Sequence, residues 1–94
     1  MTRIRYYIGE RYNVDKVRER LIDGYDGFTA TRAEGAWRAP DGTLCLESST
    51  VYECITVADE GPSDPHAFAR ELAAIALQQS VLYTVEQVEG GFTA

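Results

Sequence analysis

Residue types that mark most catalytic and metal-binding classes are scarce in this chain. Of 94 residues, two are cysteine, one is histidine, three are proline and one is tryptophan. With a single His66 and no C-x-x-C pair, a zinc site of ordinary nitrogen and sulfur ligation has too few donors, and no metal or cofactor is expected. No glycine-rich phosphate loop and no G-x-S-x-G elbow occurs, so the nucleotide-hydrolysing and serine-hydrolase classes lack their marks. His66 falls at the second position of a predicted helix, where a solvated surface role suffices. Basic residues are outnumbered nine to fifteen, for a net charge of −6. That balance repels nucleic acid and the anionic face of a membrane. Long apolar runs are missing as well. The stretch MTRIRYYIGERYN carries charge within its first five residues, and nothing approaches the length of a signal core or a membrane span, so a cytoplasmic protein is expected.

An apolar fraction of 45% with 11% aromatics is that of a folded globular domain, and the length allows one hydrophobic core. A single domain over residues 1–94 follows, with 90–94 as a frayed tail after Gly90-Gly91. Cys45 and Cys54 lie on one predicted strand about 30 Å apart, far beyond disulfide reach. Two reduced thiols are expected.

Hydrophobic period sets the order of elements. Residues 3–9 alternate, with Ile4, Tyr6 and Ile8 on one face and Arg3, Arg5 and Tyr7 on the other, which predicts a half-buried strand. Asn13 stands where a helix N-cap is wanted, and Val14, Val17, Leu21 and Ile22 follow at helical spacing to a stop near Asp23, with Gly24 as a left-handed cap. A strand over 28–39 runs into the turn Pro40-Asp41-Gly42-Thr43, where proline presets φ and glycine accepts positive φ. Residues 43–58 alternate for longer than most strands, and a bulge or bend is expected near Ser48-Ser49-Thr50. Asp59, Glu60 and Asp64, broken by Gly61 and Pro62, make a solvated acidic loop. Asp64 or Ser63 then caps a helix over 64–79 with Pro65 at its first position and Phe68, Leu72, Ile75 and Ala76 on its buried stripe. A last strand covers 80–89. The predicted core is Ile4, Val17, Leu21, Val51, Ile55, Leu72 and Ile75.

Strand, helix, hairpin, helix, strand is the ferredoxin-like β-α-β-β-α-β sandwich, an α+β fold with a four-stranded antiparallel sheet and two helices on one face. The other face is left open, and such a face is covered by a second copy or holds a ligand. A homo-oligomer, dimer or trimer, is therefore expected. If Val51, Ile55 and Val57 point inward, the open face carries Arg5, Tyr7, Tyr52, Cys54 and Thr56. Six tyrosines suit such an interface, each giving rigid apolar area with a polar tip. The same parity turns Glu47, Ser49 and Glu53 toward the helices, where a carboxylate needs a partner or takes up a proton more readily. Arg32 and Arg38, with Trp37 beside them, form the one basic-aromatic patch, fit for a planar anion.

In GFTATRAEGAWRAPDGT, ESSTV and QQSVL the chain resembles a family of small uncharacterised bacterial proteins with G-x-W, E-x-S and Q-x-S-V-L motifs. The matching positions are Gly35 and Trp37, Glu47 and Ser49, and Gln78, Ser80, Val81 and Leu82. That family has no established activity, and its members are often exported. In fold the pattern is similar to PII-like signalling proteins, which hold small ligands between subunits, although their long loop is replaced here by a short turn. The leading expectation is a non-catalytic oligomeric protein that binds a small anionic ligand, a nucleotide signal or metabolite, through Arg32, Trp37, Arg38, Glu47 and Ser49. Two alternatives stand beside it: a protein-protein interaction module that blocks or bridges a partner, and a small acid/base enzyme working through Glu47 or Glu53.

Overall fold

A computed structural model describes residues 1–57 and 61–93. Its elements run β1 (Thr2–Gly9), α1 (Val14–Tyr25), β2 (Thr29–Arg38), β3 (Leu44–Thr56), α2 (Pro65–Ile75) and β4 (Leu82–Gln87). The strands form one antiparallel sheet in the order β2-β3-β1-β4, and both helices pack on one face, as the alternation of elements requires. No helix among the described residues is long and apolar enough to cross a membrane. Asp59 and Glu60, part of the expected acidic loop, lie outside the described residues.

The core is more aromatic than its aliphatic periodicity implies. Ile4, Tyr6 and Ile8 of β1 and Tyr52 and Cys54 of β3 meet Val17, Leu21 and Tyr25 of α1 and Phe68, Ala69 and Leu72 of α2. Tyr25 and Phe68 pack edge to face at 5.1 Å, as do Phe28 and Tyr52. Each buried phenol finds a partner: the hydroxyls of Tyr6 and Tyr25 bond each other, and Arg18 Nε donates to the Tyr52 hydroxyl at 3.3 Å. With that cost removed, tyrosine rings fill the core as phenylalanine would.

This packing reverses the expected parity of β3. Tyr52 and Cys54 are 2% and 0% exposed, and Thr56 lies beside Tyr25 on the helix side, so none of the three belongs to the open face. Val51 and Ile55 are only half-buried and share the open face with Glu53, because Val51 pairs with Tyr7 and Glu53 with Arg5. Glu47 and Ser49 turn outward with them. The physical reason is area: a tyrosine with a paired hydroxyl buries more surface than valine or isoleucine and takes the core side of the strand. Arg5 and Tyr7 do lie on the open face. Nor is there a bulge near Ser48: β3 pairs with β1 and β2 without a break in register, and its length is taken up because its first half pairs with β2 alone.

Helix termini differ from expectation in two places. Asn13 takes a left-handed conformation and makes no side-chain cap; its Nδ2 instead donates to the Ile75 carbonyl at 2.8 Å, tying α1 to the end of α2. Helix α1 runs through Gly24 to Tyr25, and Asp26, at φ 65°, is the left-handed cap. Asp64 does cap α2, accepting from the Ala67 N–H at 3.1 Å, with Pro65 following. Gly24 serves packing: a Cβ there would lie 2.6 Å from the ring of Phe68. Gly24→Ala therefore sets overpacking of about 1–3 kcal/mol against a helix-propensity gain of about 1 kcal/mol. We expect a net loss of stability, seen as a melting temperature lower by roughly 4–8 °C for each kcal/mol lost; an unchanged or raised value would show that the two helices have room to separate.

Candidate ligand cleft at the base of the β2-β3 arm

Strand β1 stops at Gly9, opposite Ser49, whereas β2 and β3 continue to Arg38 and Leu44. The overhang is a two-stranded arm on a molecule 50 Å long and 25 × 21 Å across. Its turn is as expected: Gly42 has φ 88°, its N–H bonds the Ala39 carbonyl at 2.9 Å, and Asp41 accepts from the Thr43 N–H at 2.9 Å. The arm carries Trp37, Leu44 and Leu46 at 50%, 59% and 77% exposure.

At the base of the arm three side chains from separate elements converge. Trp37 of β2 and Glu47 of β3 lie on the open-face side, as their paired positions Cys45 and Gly35 require. Gln78 arrives from the far side of the sheet. Helix α2 is closed by Leu77 in the left-handed region, at φ 55°, with the Gln78 N–H bonded back to the Ala73 carbonyl at 2.9 Å. That turn sends the Gln78 side chain across the end of β1, where Nε2 donates to Glu47 Oε1 at 3.4 Å. Its Oε1 is buried with no hydrogen-bond partner among the described residues. Beneath both groups is Gly9, whose missing Cβ would fall 2.5 Å from Gln78 Nε2 and almost on the Glu47 carboxylate.

Two hollows of about 600 Å³ each meet at Trp37, Glu47 and Gln78. One lies over Tyr12, Leu46 and Leu77, the other over Tyr7, Gly35, Ser49 and Ser80. The small residues keep the floor low, and the aromatic rings offer stacking faces. Of the cleft's two carboxylates Glu10 is paired with Arg32, whereas Glu47 has no ion-pair partner among the described residues, with Arg11 elsewhere on the wall.

Of the expected ligand set, the structure brings together Trp37, Glu47 and Ser49. Arg32 and Arg38 project from the opposite face of β2, five residues and one residue from Trp37 and so out of phase with it. Arg32 pairs with Glu10 at 3.5 Å, and Arg38 donates to the Gly42 carbonyl at 3.0 Å in its own turn. Glu10 also accepts from the Thr50 hydroxyl, and that bond, with Arg32 nearby, holds its carboxyl below the usual range. Gly9, Tyr12, Leu77 and Gln78 were not foreseen as site residues. Gly9 read only as a strand end, and Gln78 only as part of a motif, because their meeting depends on how the chain crosses the sheet after α2.

The far end of the open face is closed by ion pairs. Arg3 donates to Glu86 at 2.7 Å and Arg5 to Glu53 and Glu86 at 3.1 and 3.2 Å. Glu53 is therefore bound to arginine, unlike Glu47. His66, near the edge strand, bonds the Tyr83 hydroxyl at 3.2 Å. Cys45 and Cys54 are both free; burial pushes the Cys54 thiol up to about 12.

No family model and no curated protein sequence matches the chain. Among solved structures, it superposes on a phage SAM lyase in complex with S-methyl-5′-thioadenosine, with a TM-score of 0.68, 17% identity, and coverage of 92% of this chain and 80% of that one. The likeness is one of fold, and it agrees with the ferredoxin-like arrangement.

The ion pairs make acid stability a measurable property. The hydrogen bond from Arg3, then its charge and that of Arg5, lower the Glu86 carboxyl below its ordinary value. A carboxyl lowered on folding contributes stability that is complete above the unfolded value, near about 4.3, and lost as pH falls through the folded one. We expect the melting temperature to drop as pH is lowered below about 4, and Glu86→Gln to flatten that dependence. An identical pH profile in the variant would show that the arginine pairs do not couple to folding.

Proposed function

We propose that the cleft binds a cationic, adenosine-bearing ligand of the S-adenosylmethionine type. The observation that carries this reading is the Glu47 carboxylate, held by Gln78 beside an exposed indole and without an ion-pair partner among the described residues. An indole face suits a purine, and a carboxylate at the wall of a partly desolvated cleft attracts a sulfonium. The anionic ligand first expected is not carried into this proposal, because Arg32 and Arg38 stand away from Trp37. The fold's likeness to a lyase that takes this class of nucleoside supports the choice of adenosine as the base.

A second reading, cleavage of that ligand, is favoured by the difference between Glu47 and Glu53. Glu53 is neutralised by arginines, whereas Glu47 faces the hollows with only a carboxamide beside it, free to act on a bound substrate. Glu47 then takes a proton from a water that attacks the amino-acid carbon bonded to sulfur, and that carbon–sulfur bond breaks to leave S-methyl-5′-thioadenosine and homoserine. Binding comes first in both readings, and Trp37, the single tryptophan, reports it by fluorescence.

Sinefungin, in which a protonated amine replaces the sulfonium, should bind more tightly than neutral S-methyl-5′-thioadenosine, and Glu47→Gln should remove most of that preference, a factor of about ten or more. At a hundredfold excess over its dissociation constant the bound probe should stabilise the fold by about 2.7 kcal/mol. No emission change and no thermal shift with either compound would defeat the proposal. Incubation with S-adenosylmethionine separates the readings, since only cleavage releases S-methyl-5′-thioadenosine faster than a protein-free control, and Glu47→Gln should return the rate to that of the control.

We further propose that the cleft is completed in a homo-oligomer. A two-stranded ribbon alone in water is marginally stable, and this one exposes Trp37 on one face and Leu44 and Leu46 on the other, so further copies packed around the arm would cover them and wall the cleft. Sedimentation should give a dimer or trimer at micromolar concentration, and Leu44→Lys with Leu46→Lys should shift it to monomer. A wild-type monomer at tens of micromolar would overturn this.

A further inference from the structure

Three observations at the cleft share one cause. Gly9 is buried, and the atoms nearest to a side chain added there belong to the ends of Glu47 and Gln78, two flexible groups. Gln78 is delivered by a leucine in the left-handed region, a conformation that costs a branched residue about 1 kcal/mol or more. Its carboxamide is oriented with nitrogen toward Glu47 while its oxygen goes without a partner, an arrangement that also costs free energy. Strain and an unsatisfied acceptor are thus both accepted at the one place where Gln78 meets Glu47.

We infer that Gly9 and Gln78 are positioning residues for Glu47: the glycine leaves the floor low enough for the carboxylate to lie across the end of β1, and the carboxamide fixes which way it points. This rests on the reading of the cleft as a binding site for a cationic nucleoside, and it assigns the geometry of recognition to residues that need not touch the ligand. Gly9→Ala probes the floor, because the atoms that must give way first are two flexible side-chain ends. Gln78→Leu removes the donor while keeping most of the volume.

A residue that acts through Glu47 must lose its effect when Glu47 is disabled, which a double-mutant cycle measures. Sinefungin affinity, read from Trp37 emission, is compared for Gly9→Ala and Gln78→Leu in the wild-type and Glu47→Gln backgrounds. Each change should weaken binding about tenfold or more in the wild type and less than about twofold in Glu47→Gln, with melting temperatures little changed. Losses of equal size in both backgrounds, or no loss in either, overturn the inference and leave the binding site standing. Wild-type protein that binds no sinefungin overturns the binding reading, and the inference with it.

Discussion

The pairing of the Tyr6 and Tyr25 hydroxyls, with Phe68 packed against both rings, decides which face of the sheet is inside. A phenol buried without a partner is costly, and one that is paired contributes its whole ring to the core. Once Tyr6 is inside, the register of β1 on β3 places Tyr52 inside directly opposite. Every alternate residue of β3 then turns outward: Val51, Ser49 and Glu47. The position of the candidate site is a consequence of how two aromatic hydroxyls are satisfied some distance away.

Much of the fold was legible in the residues. The alternation of Ile4, Tyr6 and Ile8, the helical stripe of Val17 and Leu21, the Pro40-Asp41-Gly42 turn and the Asp64-Pro65 helix start each report a local preference, and each element formed close to its expected place. Parity along β3 was harder. Over residues 44–56 apolar side chains stand on both faces, with Val51 and Ile55 out of phase with Leu44, Leu46, Tyr52 and Cys54, so periodicity alone offers two answers. Only partners from α1 and α2 choose between them. Ring packing by Phe28 and the Arg18 bond to Tyr52 are long-range facts without a local signature.

The candidate site was legible in part for the same reason. Trp37, Glu47 and Ser49 share one side of a regular hairpin, and two-residue alternation finds them. Arg32 and Arg38 are neighbours of Trp37 in sequence and lie across the strand from it in space, an inversion that proximity along the chain conceals. Gln78 reaches the site only because α2 ends in a left-handed turn at Leu77, where no glycine announces the turn.

The overhang of β2 and β3 separates the labour of the molecule. Side chains that hold the fold lie between the helices and the middle of the sheet, while Trp37 and Glu47 sit beyond the end of β1, where they contribute little to the buried core. Replacing them leaves the packing of Tyr6, Tyr52 and Phe68 untouched. Because most substitutions are limited by their effect on stability, a recognition surface on an overhang can change quickly without endangering the scaffold. Gly9 is the exception, belonging to both the sheet and the cleft, and it is there that the freedom of the arm to diversify meets its constraint.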